Sequence, residues 1–518
     1  MKNSIDGILG YLKNFENINN SIEKLAELAN IESHSVLAPN YQPHCSPDFV
    51  FYDTTGILPV CENKGHFASL ASVLSVENGY FGTRSCLEEC YGDISTGATY
   101  IAGVYTVNKD MQTDKLAVMP DWTRVCVYID GEPVDIMEQK MLCHKRYFDI
   151  QAGTSVRELK IEDSSGRITS IRTEKFASLK DKHIAGQAIT VIPENYSGQI
   201  SIRAGIDGKV VNVDDAHFER KAQEGSIMFS VILPEKRFKD GEINPCRVIS
   251  MCRRNSVSVQ CCKYSGYDGK YAFEEFDISA QKGEEIRINS VISIYANADI
   301  DNCVDTHALY CGASFENAIR EHKSIVRQRL RETGITICGD ETAQKFANYS
   351  IARLIMAGEH NGEKSSITAR TLTGPSYAGH VFWDCEIFDL PFFTYTNPEK
   401  AKTMLMYRYN TLNGARRNRE LESEEKKKDC RGARFAWEST SSGVERTPSS
   451  VINEKGQKVK ILTGTHEKHI TPDVAYATYE YWLATGDDEF LRRVDRGAVI
   501  GQFDNAVGVR VGVFLAVA

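Results

Sequence analysis

The sequence predicts a large antiparallel β-sandwich followed by a helical domain, on two observations. From about residue 65 to 310 the apolar residues come in short alternating runs that end at Gly, Asn or Asp, the pattern of half-buried antiparallel strands rather than of a parallel sheet. At Ala313 the apolar period changes from two to about three and a half and stays there, so the remainder reads as amphipathic helices.

Taken in order, residues 1–60 hold one weak amphipathic helix, with Ile5, Ile8, Leu9 and Leu12 on a shared face, and then a polar connection containing proline. In the β region Val125-Cys126-Val127-Tyr128-Ile129 runs into the turn pair Asp130-Gly131, and Ile286-Arg287-Ile288 continues to Ile292-Ser293-Ile294. Ser314 is placed to cap a helix whose inner stripe is Phe315, Ala318, Ile319, His322, Val326 and Leu330. A second helix follows Asp340, with Ala343, Phe346, Ala347, Ile351, Leu354 and Ile355 inward. Asn397-Pro398 and Thr471-Pro472 each join a cap residue to a proline at the first helical position, where the missing N–H costs nothing. The first of these helices carries Ala401, Met404, Leu405 and Leu412; the second carries Ala475, Tyr479 and Trp482 and stops at Gly486. Between them, Arg416 to Arg434 includes Glu424-Glu425-Lys426-Lys427-Lys428 and reads as a solvated surface loop.

Composition narrows the function classes. With 518 residues, 42% hydrophobic and 25% charged, the chain is long enough for two to four domains with sizeable cores. A formal net charge of -9 without a basic stripe or tail argues against nucleic acid or an anionic membrane as the main partner. The opening residues lack a signal-peptide pattern, and no run reaches transmembrane length. The 15 cysteines are dispersed, odd in number and without Cys-x-x-Cys, and read as buried free thiols of a cytoplasmic protein. Phosphate-loop, dinucleotide and Gly-x-Ser-x-Gly patterns are absent from the sequence. His466-Glu467-Lys468-His469 is one residue short of a zinc-helix motif, so its histidines fall on different faces and no metal is expected. Cys86 with Cys90, and Cys261-Cys262, read as structural.

The chemistry concentrates in Gly379-His380-Val381-Phe382-Trp383-Asp384-Cys385-Glu386-Ile387-Phe388-Asp389-Leu390-Pro391-Phe392-Phe393. Carboxylates are costly to bury unless hydrogen-bonded, so acids among aromatics suggest a partly desolvated pocket for a polar ligand with apolar faces. A sugar fits: its CH face can lie on Trp383 while its hydroxyls donate to Asp384 or Glu386. Phe435-Ala436-Trp437-Glu438-Ser439 repeats the pairing of indole and carboxylate. On residue chemistry alone two readings stand, a carbohydrate pocket, or core aromatics beside buried and satisfied carboxylates.

The run Ala369-Arg370-Thr371-Leu372-Thr373-Gly374 with Gly379 to Phe388 resembles the signature of glycoside hydrolase family 65, which includes maltose, kojibiose and trehalose phosphorylases. The resemblance extends through Arg408-Tyr409, Gly414-Ala415-Arg416, Ala433 to Ser439, and His469-Ile470-Thr471-Pro472-Asp473-Val474-Ala475-Tyr476. In the β region it takes in Asn78-Gly79-Tyr80-Phe81-Gly82-Thr83-Arg84, Thr99 to Gly103, Asp130-Gly131-Glu132-Pro133 and Pro193 to Gly198. It implies an N-terminal super-sandwich over 61–311 after an extension over 1–60, a helical linker over 312–336, and the first part of an (α/α)6 barrel over 337–491. It also implies inverting phosphorolysis of an α-glucosidic disaccharide to β-glucose 1-phosphate, with inorganic phosphate as co-substrate and no other cofactor. By position, Trp383 and Asp384 would hold the glucose, with Phe382, Trp437 and Glu438 nearby and Arg370 and His380 as further ligands. Cys385 stands where the family usually has threonine, and Glu386 reads as a structural carboxylate.

The resemblance stops near Leu491. The family's general acid is a glutamate in a Gly-Pro-Asp-Glu-Tyr-His-like motif further on, and Val507-Gly508-Val509-Arg510-Val511-Gly512-Val513 is a poor helix former. The sequence therefore leads us to expect an aberrant tail over 492–518, an incomplete barrel, no catalytic residue in this chain, and inactivity by itself. The partner expected is a disaccharide, with a homodimer for a full-length form. An inverting α-glucoside hydrolase and a noncatalytic sugar-binding remnant are the alternatives.

Overall fold

The computed structural model describes residues 49–53, 64–89, 97–107, 113–209, 217–223, 226–233, 235–296, 313–374, 376–426, 432–452 and 455–496. The helix expected around Ile5 to Leu12, and the Gly/Val run from Val507, lie outside them.

The alternating segments form two main antiparallel sheets. The larger orders nine strands as Phe49–Asp53, Lys140–Asp149, Thr154–Glu162, Ile168–Ala177, Ile184–Pro193, Ile286–Ala296, Arg247–Val257, Ser226–Leu233 and His217–Gln223. The smaller runs Cys262–Asp268, Tyr271–Ala280, Gly198–Asp207, Val125–Ile129, Glu132–Pro133. Both strands read from the sequence are present, and in the first the alternation is explicit, with Val125, Val127 and Ile129 buried and Cys126 and Tyr128 only partly so. Val127, Ile202 and Phe276 of the smaller sheet meet Ile171, Ile189 and Ile288 of the larger. Each such burial contributes roughly 1.5–3 kcal/mol, which is what holds the sheets face to face.

Helix α1 (Lys64–Val73) follows the first sandwich strand, Phe49–Asp53, which lies within the stretch expected as an extension, and precedes all the others; α2 (Phe315–Thr333) follows them. Ser314 caps α2 by accepting the Asn317 N–H at 3.2 Å. Phe315 and Ala318 lie on Phe176, Ile184 and Val291 of the nine-stranded sheet, so α2 is clamped to the sandwich. His322 on that stripe is buried, accepting the Leu179 N–H at Nδ1 and facing the Gly153 carbonyl with Nε2.

Helix α3 (Glu341–Glu359) is capped by Asp340, which accepts the Ala343 N–H at 2.8 Å. Its buried side is shorter than expected. Ala352, Ile355 and Met356 pack with Leu70 and Phe148, but Phe346 is 67% exposed, because only the C-terminal half of α3 has the sandwich edge against it.

The remaining helices are α4 (Leu390–Thr396), α5 (Pro398–Asn410), α6 (Leu412–Lys426), α7 (Thr463–His466), α8 (Ile470–Thr485) and α9 (Asp488–Arg496). Pro398 opens α5, and Ala401, Met404 and Leu405 are buried as their spacing predicts. Three expectations are corrected. The charged run from Arg416 is helical to Lys426, because Arg417 with Glu420 and Arg419 with Glu422 pair one turn apart on residues that favour helix. Helix α8 starts at Ile470, so Pro472 sits inside the first turn, where its N–H is equally dispensable, and the Thr471 hydroxyl instead accepts the Phe435 N–H. The buried stripe of α8 is Val474, Ala477, Thr478 and Tyr481, one residue off the expected Ala475, Tyr479 and Trp482. Gly486 ends α8 in the left-handed region at φ 65, as expected. Helix α9 crosses residue 492, and its Phe490 and Val494 are buried in the same cluster as Tyr481.

The described cysteines are free thiols. Cys86, Cys252 and Cys385 are buried, but Cys246, Cys262 and Cys338 are exposed, since no bridge or core position requires them inside. Among the described residues no helix is long and apolar enough to cross a membrane.

Candidate functional site

Two short backbone hydrogen bonds bring the two aromatic–acid segments together. Val381 N–H donates to the Ser439 carbonyl at 2.8 Å and Ser439 N–H returns to Val381 at 2.9 Å, so Phe382-Trp383-Asp384 and Trp437-Glu438 leave adjacent points. The approach to Val381 is strained. Tyr377 and Ala378 hold φ of 55 and 54 before Gly379 at 71, a conformation that costs a non-glycine residue of order 1 kcal/mol and marks a backbone fixed by its surroundings. The Tyr105 hydroxyl, from the sandwich, ties the Gly379 carbonyl at 2.8 Å. Beyond Asp384, residues Cys385–Asp389 form a π-helical turn leading into α4, a local widening frequent at functional sites.

The rings form one connected wall. Phe382 meets Trp437 edge-on at 6.2 Å, and Trp383 meets Phe388 at 5.6 Å. Between the indoles stands His469, 4.9 Å from Trp383 and 5.7 Å from Trp437, edge-on to both. Its Nδ1 lies 2.6 Å from Asp473 Oδ2, one turn into α8, which fixes the ring's orientation. Trp383 and Trp437 are half-buried, Phe382 is buried and Asp384 is exposed. Arg370 is exposed and joins the wall indirectly, its guanidinium 5.9 Å from the Tyr377 ring, which lies 5.6 Å from Phe382.

Behind the rings the two glutamates are engaged. Glu386 accepts from Arg408 Nε and Nη2, both at 2.8 Å, in a fully buried bidentate pair. Glu438 Oε2 is 2.7 Å from His380 Nδ1, while His380 Nε2 is 2.9 Å from the Asp114 carbonyl and 3.4 Å from its carboxylate. Both ring nitrogens face only acceptors, the arrangement of an imidazolium. Burial opposes that charge, but hydrogen bonds and charge from Asp114 and Glu438 outweigh it and raise the His380 pKa to about 9. His380, expected as a sugar ligand, is 0% exposed and lies instead at the seam between sandwich and helices. Glu438 is its partner and is buried, as is Phe382, so of the seven expected ligands Trp383 and Trp437 are half-buried and Asp384 and Arg370 are exposed.

Two residues at the site were missed in the sequence. His469 enters the sequence reading as half of a failed zinc motif and as the start of the family-like run to Tyr476, without a role at the site; its spacing of four to Asp473 at a helix start is the available signal. Asp389 is held up to about 7, first by burial and then by the charges of Glu386 and Asp384. Its place among three acids in six residues was legible, but its burial was not. Among the described residues no group of three or more His, Cys, Asp or Glu side chains is placed to hold a metal.

Comparison with known proteins agrees with this layout. Residues 63–329 match the N-terminal domain of glycosyl hydrolase family 65, and residues 348–500 match the central catalytic domain of that family. A kojibiose phosphorylase of Thermoanaerobacter brockii is 32% identical over 436 residues, covering 81% of this chain and 55% of the relative. An α,α-trehalose phosphorylase of the same organism is 27% identical over 447 residues, covering 81% and 55%. A solved structure from the human microbiome superposes with a TM-score of 0.71 at 19% identity, covering 86% of this chain and 57% of that one, a likeness of fold. The chain spans a little over half the length of the curated relatives it matches.

Proposed function

Because the chain belongs to glycosyl hydrolase family 65, we propose that it carries the glucose-holding wall of an inverting disaccharide phosphorylase, which uses inorganic phosphate to release β-glucose 1-phosphate from an α-glucoside. The observation that carries this reading is the exposed Asp384 beside the half-buried Trp383 and Trp437. An indole takes the CH face of a pyranose, and an open carboxylate accepts its hydroxyls. In the proposed reaction a protonated carboxylic acid protonates the departing glycosidic oxygen while phosphate attacks the opposite face of the sugar. Glu386 and Glu438 are poorly suited to be that acid, since Arg408 and His380 already hold them. Asp384 fits a hydroxyl ligand. Phosphate is the co-substrate in this proposal, and the setting is cytoplasmic. The relatives named for kojibiose and trehalose leave the preferred linkage to a substrate panel.

The test is calorimetric titration of the chain with glucose and kojibiose, together with assay of glucose 1-phosphate release with and without phosphate. Trp383→Ala is expected to lose the sugar bound at the wall; a variant whose titration matches that of the parent would sink the proposal. The engagement of both ring-adjacent glutamates also favours a second reading, sugar binding without turnover. That reading expects the same loss in Trp383→Ala with no release in either buffer. Phosphate-independent release of glucose would point to a hydrolase.

A further inference from the structure

A cavity of about 790 Å³ lies at the seam between the sandwich and the helical region, on residues distinct from the aromatic wall. Tyr80, Lys182, Asn244 and Arg247 line it from the sandwich, and His360, Ser365, Asn410 and Thr440 from the helical side. Its size falls in the range of small-molecule sites.

Its polar groups are set for a ligand. Thr440 is 1% exposed, and its Oγ1 has no hydrogen-bond partner among the described residues. Buried polar atoms of this kind are costly unless something meets them. The amides are pre-oriented. Asn244 Nδ2 donates to the Tyr105 carbonyl at 3.0 Å and Asn410 Nδ2 to the Glu363 carbonyl at 3.1 Å, which leaves each Oδ1 to accept. The Thr411 hydroxyl donates to the Tyr407 carbonyl and is likewise left as an acceptor.

The charges point away from a simple ion. Asp114 and Glu242 line the cavity, but His380 and Arg446 answer them from the helical side. What remains is a mixture of fixed acceptors, hydroxyls, the carboxylate of Glu363 and the cationic side chains of Lys182, Arg247 and Lys364 around apolar surface from Ile101, Val104 and Phe238. A ligand that donates and accepts at many points and has CH faces matches that lining better than an anion or a purely apolar molecule.

We propose that this seam cavity is a second carbohydrate site, taking a neutral mono- or disaccharide between the sandwich and the helical region. It goes beyond the Trp383 wall and does not depend on how that wall is read. Sugar bound there spans both domains and braces them against each other.

Calorimetric titration of the 518-residue chain with kojibiose tests it, with inorganic phosphate in a parallel arm. Two classes of site are expected. Thr440→Val removes one hydroxyl with nearly unchanged shape and weakens one class by about threefold to tenfold, the worth of one hydrogen bond. Ser441→Trp, on the cavity wall, fills the space and removes that class. Trp383→Ala spares it and removes the other. A single class abolished by Trp383→Ala, or titrations that neither cavity variant changes, would overturn the proposal. Displacement of kojibiose from this site by phosphate alone would also overturn it, since the site would then be one for anions. If Trp383→Ala leaves both classes intact, the wall reading fails and the cavity proposal stands.

Discussion

His380 and Glu438 share a hydrogen bond of 2.7 Å across 58 residues of sequence, and the other face of the same imidazole rests on Asp114 of the sandwich. One charged ring thus joins the strand Asp114–Leu116 to the loop that carries Trp437. With its pKa raised from 6.5 to about 9, its contribution is fully present below pH 6.5, where folded and unfolded rings are both protonated. It is lost as pH rises through about 9. His380→Ala should therefore destabilise most at pH 6, and the gap between parent and variant should narrow by about 3 kcal/mol by pH 9.5. Urea unfolding at the two pH values measures it, and a gap independent of pH would contradict the imidazolium.

The Arg408–Glu386 pair makes a different prediction, because both members are buried and neither reaches solvent. Arg408→Met alone strands a carboxylate beneath the aromatic wall and should cost about 3–5 kcal/mol. Glu386→Leu with Arg408→Met removes both charges and should recover most of that. Chemical unfolding of the three variants closes the cycle; a double variant as unstable as the single would show that the pair does more than neutralise itself.

His380 and His322 show where reading the sequence stops. Both are buried histidines, yet burial lowers the His322 pKa to about 4 while His380 is raised. The difference lies in their partners: His322 must accept the Leu179 N–H, which requires a neutral ring, whereas His380 meets only acceptors. Those partners are 143 and 58 residues away, beyond any local pattern. What was legible was local. Ser314, Asp340, Pro398 and Gly486 punctuate their helices through groups within four residues, and Val125 to Ile129 alternates because one side faces the opposing sheet. The recurrence of an indole beside an acid at Trp383 and Trp437 was also legible. Their juxtaposition required the Val381–Ser439 bridge, a pairing that two isolated residues do not announce. Helix α6 was hidden for the opposite reason: its ion pairs are local, but its charge density resembles a solvated loop until the spacing of three between Arg417 and Glu420 is weighed.

Asp389 carries a cost that can be removed. Its folded pKa, raised from 3.8 to about 7, means that the folded chain holds a proton which the unfolded chain releases, so its effect on stability becomes less favourable as pH rises from about 4 to 7. Asp389→Asn should be near neutral at pH 4 and stabilising at pH 8 by roughly 2 kcal/mol, allowing for solvent relaxation around a group that is not fully buried. Thermal unfolding across that range reads it directly. A stabilisation equal at both ends would mean that packing rather than charge is responsible.

His469 separates two ways in which a residue can serve an aromatic wall. If it spaces Trp383 and Trp437 through ring contact, at 4.9 and 5.7 Å, then His469→Phe keeps the spacing and His469→Ala loses it. If its polar edge meets the sugar, His469→Gln preserves more function than His469→Phe. The perpendicular contacts to both indoles, with Nδ1 already committed to Asp473, favour the spacing role. Kojibiose affinity in His469→Phe should stay within about twofold of the parent, whereas His469→Ala should weaken it by about fivefold, the worth of an aromatic pair contact of the order of 1 kcal/mol. Asp473→Asn should fall between them, since the ring keeps its contacts but loses the carboxylate that sets its angle. Tryptophan fluorescence on titration gives an independent measure, because Trp383 and Trp437 both border the substituted ring; an unchanged signal in His469→Ala would show that the indoles hold their positions without it.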